Sequence, residues 1–143
     1  MNTRTLTNIK DAVDFPKFHD AELISLEHDP EAKSLTVRFK LVPGSVETLV
    51  FERVIAQRMI DFAHQNVVSR LLISSRFHFS MDNVCFWVPW MDSREDANAP
   101  ELKSELAVRL HQDIAEGRKV LFILEPSCGA ELAVLCEQAS ILT

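Results

Sequence analysis

Apolar and polar residues alternate most regularly between Ser34 and Leu41. Such period-two alternation is typical of a β-strand with one buried face. The preceding segment, Ala21 to His28, also suits a strand, with Ile24 and Leu26 expected on one face and Leu23 on the other. The apolar positions of the more regular strand are Leu35, Val37, Phe39 and Leu41.

Turn signals lie on both sides of this strand. Before it, the sequence DPEAK predicts a turn, because the Asp29 side chain can bond the backbone ahead and Pro30 fixes φ at the second turn position. After it, VPGS predicts another turn. We therefore expect a hairpin over residues 21–41, followed by a third strand in ETLVFERV, residues 47–54.

The segment after the third strand fits two structures. Its apolar residues match the i, i+3, i+4, i+8 spacing of one helix face, whereas a strand would divide them between both faces, so periodicity alone favours a helix. These residues are Phe51, Val54, Ile55, Met59, Phe62 and Ala63. The β-branched and leucine-rich run Val67 to Ile73 then predicts a buried strand.

Residues 77–90 predict a second hairpin. Aromatic residues at 77 and 79 alternate with polar ones, Asp82-Asn83 suits a two-residue turn, and VCFWVPW reads as the returning strand. Pro89 lacks an amide donor, so this strand is expected to end there or to lie at a sheet edge.

The clearest helix signal covers Ala99 to Glu116. Asn98 and Glu101 have capping-box spacing, Pro100 suits the first turn, and Gly117 suits the stop. The apolar stripe of this helix is Leu102, Leu106, Leu110 and Ile114. Beyond it, KVLFILEP predicts a strand, and AELAVLCEQA predicts a last strand or, as the weaker alternative, a short helix.

These elements predict an α+β fold, because the strands come in hairpins instead of alternating with helices. We expect a mainly antiparallel sheet of about six or seven strands with one helix near 99–116. A chain of 143 residues suits a single domain over 1–143. Residues 1–18 are expected to form an irregular lead-in, anchored by Val13, Phe15 and Phe18.

The net charge of −6 argues against a nucleic-acid partner, because such binding depends on clustered Lys and Arg. The same charge would attract a basic protein surface, although it also suits simple solubility. There is no signal-like N-terminal stretch and no run of about 18 apolar residues. We therefore expect a cytoplasmic protein with no membrane contact.

Several chemistries have no signature in the sequence. The three glycines are isolated, so no phosphate-binding loop is predicted, and neither a nucleophile elbow nor a zinc-protease helix occurs. We expect no cofactor. Cys85, Cys128 and Cys136 show no Cys-x-x-Cys spacing and are expected to be reduced and mostly buried. Cys128 in PSCGAE is interpreted as a turn thiol more readily than as a nucleophile.

Two His-Asp pairs, His19-Asp20 and His28-Asp29, carry side chains that a metal site or an acid–base pair would use. Nine residues of extended chain separate the histidines by about 30 Å, so one straight strand cannot bring both to one ion. Asp29 is explained by its turn. His19 and Asp20, with Glu22 beside them, remain candidate binding residues, or else fix how the chain enters the sheet.

The two tryptophans are the other candidates. Trp87 and Trp90 are of a type that dominates protein interfaces, and they are also ordinary core residues. We retain both as candidate binding residues, with the core as the alternative.

The stretches FHDAELISLEHD, SLTVRFKL, TLVFERV and DFAHQNVVSRLLI carry a resemblance. Over about residues 18–73 the chain resembles small bacterial proteins of uncharacterised or immunity-protein-like type, which share a Phe/Trp-His-Asp start, a hairpin and an Asn-Val-Val/Ile strand. The resemblance implies a β-rich fold in which 48–63 is strand and turn. We therefore take 48–54 as strand and leave 56–63 open.

The resemblance also implies a non-catalytic protein, since some relatives guard their own cell against a toxin. The first hypothesis is thus a small immunity-type binding module acting by protein–protein contact. The alternative is an enzyme or metal-dependent ligand-binding protein that uses His19, Asp20 and perhaps Glu22. A third hypothesis is a homo-oligomer joined through the predicted strand that contains Trp87 and Trp90.

Overall fold

The computed structural model describes residues 6–9, 15–74 and 76–142. These form one antiparallel sheet of nine strands with two α-helices. The α+β class and the mainly antiparallel sheet are confirmed, whereas the predicted six or seven strands and one helix are too few. The strands are β1 (Leu6–Asn8), β2 (Glu22–Asp29), β3 (Ser34–Lys40), β4 (Val46–Glu52), β5 (Ala56–Ile60), β6 (Val67–Ile73), β7 (Val120–Cys128), β8 (Glu131–Cys136) and β9 (Gln138–Leu142). The helices are α1 (Met81–Asp92) and α2 (Ser104–Ala115).

The sheet curls back on itself. Its strand order is β1-β9-β4-β3-β2-β6-β7-β8-β5. β4 continues into β5 after residues 53–55, and β8 continues into β9 across Glu137, so the β4–β9 pair runs on into the β5–β8 pair. The β4–β5 and β8–β9 connections therefore join the two ends of the strand order, and the curled sheet encloses an interior.

The interior holds the larger of two hydrophobic cores. Leu35, Val37 and Phe39 of β3 all point into it, which confirms the period-two prediction for this strand. Phe18 packs edge-on against Phe39 with ring centroids 5.5 Å apart. The buried anchor Phe18 thus ties the predicted lead-in to the core, while the predicted anchor Val13 lies outside the described residues.

The second core lies between the helices and the outer face of β7 and β8. Phe122 and Leu124 face the interior, whereas Leu121 and Ile123 lie under the helices. β7 is therefore covered on both faces, which explains why its sequence is continuously apolar instead of alternating. Neither helix of the described residues is long and apolar enough to span a membrane.

The predicted faces of β2 are wrong because the strand carries a bulge. The β2–β3 register shifts between Leu23 and Ser25, and this leaves Ile24 as the extra residue, 45% exposed. Leu23 is buried and Leu26 packs on the same interior core. A one-residue bulge reverses the side-chain alternation beyond it, which a strict period of two does not anticipate.

Residues 56–60 form strand β5, so the helical interpretation of the 51–63 stripe is wrong and the strand-and-turn alternative is correct. Met59 packs against the interior core, whereas Ala56 packs against the helix-side core. Because the curled sheet has apolar layers on both sides, apolar residues on both faces of β5 suit a strand.

The predicted hairpin over 77–90 is also wrong, because residues 81–92 form α1. Ser80 and Asn83 make a capping box in which the Ser80 Oγ accepts from the Asn83 N–H at 3.1 Å and the Asn83 Oδ1 accepts from the Ser80 N–H at 2.9 Å. Buried residues then follow at helical spacing: Val84, Val88 and Met91.

α2 begins at Ser104, five residues after the predicted Ala99, and Lys103 is its N-cap residue. Leu110 and Ile114 of the predicted stripe are buried, but Leu106 is 42% exposed. Gly117 follows the helix with φ +81°, which confirms the predicted stop. Two further corrections are a short strand, β1, inside the predicted lead-in, and the division of the predicted last strand into β8 and β9.

Candidate functional site

His19 and Asp20 lie at the surface where the chain approaches β2. The His19 Nδ1 is 2.8 Å from the Ser69 carbonyl oxygen. Because a carbonyl can only accept, Nδ1 carries a proton in this contact. The Nε2 atom lies 3.6 Å from the Asp20 Oδ2, beyond ordinary hydrogen-bond distance, and the two side chains are 66% and 59% exposed.

The backbone around these residues joins β2 to β6. Asp20 N–H donates to the Val68 carbonyl at 2.9 Å, Val68 N–H donates to the Ala21 carbonyl at 2.8 Å, and Leu23 N–H donates to the Asn66 carbonyl at 2.8 Å. We call this set of bonds the β2–β6 seam. The Phe-His-Asp and Asn-Val-Val stretches of the sequence thus bond to each other and help to close the curled sheet.

Asn66 fixes the β6 side of the seam. Its side chain is buried, with Oδ1 accepting from the Ala63 and Ala130 N–H groups at 2.9 and 3.0 Å and Nδ2 donating to the Ala63 carbonyl at 2.8 Å. Gly129 packs so closely that a Cβ there would lie 2.2 Å from the Gln65 carbonyl oxygen. The sequence prediction missed this role of Asn66, although its place just before a buried strand could have indicated it.

The other acidic candidates have structural positions. Glu22 is half-buried and lies opposite Lys40 on β3 and Val67 on β6. The Asp29 Oδ1 accepts from the N–H groups of residues 31 and 32 at 3.1 Å each, which confirms its predicted turn. Within the described ranges, no group of three or more His, Cys, Asp and Glu residues could hold a metal ion.

The two tryptophans form part of an aromatic row on α1. Phe86, which is 59% exposed, meets Trp87 edge-on at 5.0 Å between ring centroids, and Trp87 meets Trp90 edge-on at 5.2 Å. Both tryptophans are half-buried against the helix-side core. They therefore combine the core and surface roles that the sequence offered as alternatives.

Arg58 of β5 completes this row. Its guanidinium carbon lies 4.7 Å from the Trp90 ring centroid, and its Nη1 donates to the Trp90 carbonyl at 3.0 Å. Stacking and hydrogen bonding together hold the arginine in one orientation. We call Phe86, Trp87, Trp90 and Arg58 the α1 aromatic surface. The sequence prediction missed Arg58 and Phe86, because assigning residues 84–90 to a strand concealed which aromatic rings share a face.

The three cysteines differ in their surroundings. Cys85 and Cys128 are exposed and only Cys136 is buried, so the prediction of mostly buried thiols is wrong. Burial raises the pKa of the Cys136 thiol to about 12, which keeps it protonated at neutral pH. The Cys128 sulfur lies 4.0 Å from the Gln65 carbonyl oxygen, a contact in which the thiol is a donor. None of these contacts provides a general base for a cysteine nucleophile.

Comparisons with protein-family models, with curated proteins and with solved structures find no match to this chain. The geometry of the described residues is then the basis for the proposed function. That geometry offers a hydrogen-bonded seam at His19 and Asp20 and a preorganised aromatic surface on α1.

Proposed function

We propose that this protein is a non-catalytic binding module of immunity type, which contacts a protein partner through the α1 aromatic surface. The observation that carries the proposal is the unbroken contact from exposed Phe86 through Trp87 and Trp90 to Arg58. Aromatic residues and arginine are the residue types that dominate the energy of protein interfaces.

The rigidity of this surface supports a binding role. Each ring touches the next, and Arg58 is held by both the Trp90 ring and the Trp90 carbonyl. Side chains that are already ordered lose little conformational entropy when a partner binds. Ordering the side chains of this surface therefore adds little to the free-energy cost of binding.

The charges at the end of α1 favour a basic partner. Asp92, Glu95 and Asp96 are all exposed there, Arg94 lies 3.7 Å from Asp96, and Arg58 contacts Trp90. The partial negative charge of a helix C-terminus adds to the same field. A partner with Lys or Arg around an apolar pocket would complement this rim, in keeping with the net charge of −6.

The immunity-type role draws its support from the sequence resemblance over residues 18–73. In that role the partner is a toxin, and the product of the neighbouring reading frame is the first protein to test. A homo-oligomer through the same surface is a different outcome. It would have to use a helix face instead of the strand predicted from the sequence, and it would appear as a concentration-dependent sedimentation coefficient.

A comparative capture experiment tests the proposal. The immobilised protein, its Phe86→Ser variant and a Val108→Ser control are each incubated with lysate and with the product of the neighbouring reading frame, and bound proteins are quantified. Val108 is a suitable control because it is 55% exposed and lies on α2 instead of α1. We expect a partner that the wild type and Val108→Ser retain equally and that Phe86→Ser loses by about tenfold or more. Equal recovery on all three proteins would contradict the proposal.

A further inference from the structure

In the described part of the chain, β2 and β5 have strand edges that are not paired in the wall of the curled sheet. β2 meets β6 in register only at Glu22 and Val67, and β5 pairs with β8 alone. Beyond the seam, within the described part of the chain, backbone hydrogen bonds join Ser25–Asp29 only to β3 and Ala56–Ile60 only to β8. Both segments therefore present an unpaired strand edge.

A pocket of about 200 Å³ lies between these two edges. Its lining comes from β2, β3, β5 and β8, and includes Leu26, His28, Gln57, Arg58, Met59 and Leu132. We call the edges Ser25–Asp29 and Ala56–Ile60, with this pocket, the β2–β5 window. The pocket is smaller than the roughly 300–1,000 Å³ of typical small-molecule sites, so it suits one or two side chains of a strand better than a free ligand.

Two features of the window suit the binding of another chain segment: half-buried apolar side chains and a buried acceptor that has no donor among the described residues. Leu26 and Met59 are only half-buried although both pack against the interior core. Gln57 also lines the pocket, and its Oε1 is buried with no hydrogen-bond partner among the described residues. A buried acceptor without a donor is unfavourable, so a strand that brings apolar side chains and a donor would complete this site.

The two ends of the window carry acidic side chains, whereas Arg58 lines the pocket between them. Glu131 lies opposite Ile60 at one end of β5, and burial, followed by the charges of Asp61 and Glu125, raises the pKa of its carboxyl group. At the other end, the exposed turn after β2 carries Asp29 and Glu31 against one lysine, Lys33. Lys and Arg residues on both sides of an apolar segment would complement this charge pattern.

We propose that the β2–β5 window binds an extended segment of a partner protein, with apolar residues at alternate positions and Lys or Arg at its ends. The segment adds a strand that pairs with one or both open edges and inserts its apolar side chains into the pocket. This site shares Arg58 with the α1 aromatic surface but does not require the function proposed for that surface.

A display selection with random twelve-residue peptides on the purified protein tests this inference. We expect enrichment of alternating apolar peptides with basic ends, and binding of the synthetic peptides should slow amide hydrogen exchange in Ser25–Asp29 and Ala56–Ile60. Met59→Lys should weaken peptide binding by about tenfold or more, because it places a cation in the pocket, whereas Val42→Lys, in the exposed turn after β3, should leave it unchanged.

Asp61→Asn gives a second test if Met59→Lys impairs folding. Asp61 has φ +60°, a conformation that asparagine tolerates as well as aspartate, so this variant removes charge without new backbone strain. We expect about threefold weaker binding at low salt and no difference at high salt.

The proposal is overturned if no peptide is enriched, if exchange slows only outside the window, or if neither substitution changes the affinity. It is also overturned if the same amides become protected with rising protein concentration in the absence of peptide, because a second copy of the chain would then fill the window. These outcomes are independent of the Phe86→Ser result, so the two proposals can fail separately.

Discussion

At the residue scale, the side chain with the most hydrogen bonds in the described interior is a neutral amide. Asn66 holds the loop at Ala63 and the turn at Ala130 through three hydrogen bonds. A buried backbone N–H that loses its acceptor costs more free energy than one surface contact contributes. Asn66 therefore stabilises the join between β6 and the β7–β8 turn.

We predict that Asn66→Ala lowers the free energy of unfolding by about 2–4 kcal/mol, because the buried Ala130 N–H and the Ala63 N–H would both lose their acceptor. Denaturant unfolding followed by circular dichroism measures this change. Val46→Ala is the control, since Val46 is 52% exposed at the start of β4. A loss below about 1 kcal/mol for Asn66→Ala would show that water replaces these bonds.

At the element scale, Asp20 sets the geometry of the β2–β6 seam. Its φ is +63°, and its N–H donates to the Val68 carbonyl at 2.9 Å. Glycine adopts this conformation without cost, whereas alanine pays about 1–2 kcal/mol. The positive φ at this position suits an aspartate, which enters the left-handed region more readily than most residues.

We predict that Asp20→Gly keeps the stability of the wild type to within about 0.5 kcal/mol, whereas Asp20→Ala loses about 1 kcal/mol. Thermal unfolding of the two variants measures the difference. If the Asp20 carboxylate itself has a chemical role, both variants would lose partner binding or bound metal equally. Elemental analysis of the purified protein provides the second readout, and stoichiometric metal that disappears in Asp20→Gly would contradict the structural role.

Local patterns predicted elements well where one face is buried and one is exposed. β3 is an example, and the Asp29 turn follows from local chemistry alone. Periodicity favoured the wrong element at β5, whose apolar residues lie on both faces and match a helical spacing, and it gave the wrong faces for β2, where a bulge at Ile24 reverses the alternation. It also failed at α1, because Asp82-Asn83 suits a two-residue turn, whereas Asn83 closes a capping box with Ser80.

The candidate site was only partly predictable for a related reason. Trp87 and Trp90 stood out by residue type, but their contact with Arg58 joins residues about thirty positions apart in sequence. The link between the His19-Asp20 and Asn66-Val67 stretches is equally non-local, since it depends on the pairing of β2 with β6. A single sequence gives no direct signal for such pairings.

At the scale of the whole molecule, a charge cluster joins the end of α2 to the start of β7. The buried Asp113 carboxylate accepts from the Lys119 Nζ at 2.7 Å and from the Arg118 Nε at 2.8 Å. These hydrogen bonds, first that of Lys119 and then that of Arg118, lower the pKa of Asp113. Protonating Asp113 therefore weakens the link between the helical layer and the sheet.

We predict that Asp113→Asn lowers the melting temperature at pH 7 and that the difference from the wild type shrinks in acid. A carboxyl group whose pKa is lowered by folding stabilises the fold fully above its unfolded value, near 4, and this contribution is lost as the pH falls through the lowered pKa of the folded state. Melting curves between pH 2 and pH 7 provide the measurement. A difference that stays constant over that range would show that Asp113 acts through packing alone.

The two tryptophans can report directly on the proposed binding, because both lie on α1 and the chain has no others. The protein is prepared with 5-fluorotryptophan, which gives one ¹⁹F resonance for each position, and is titrated with the unlabelled partner identified by capture. We predict that both resonances shift with the same binding curve and that Phe86→Ser weakens that curve by about tenfold or more. A partner that binds while both resonances stay unchanged would contradict the central claim.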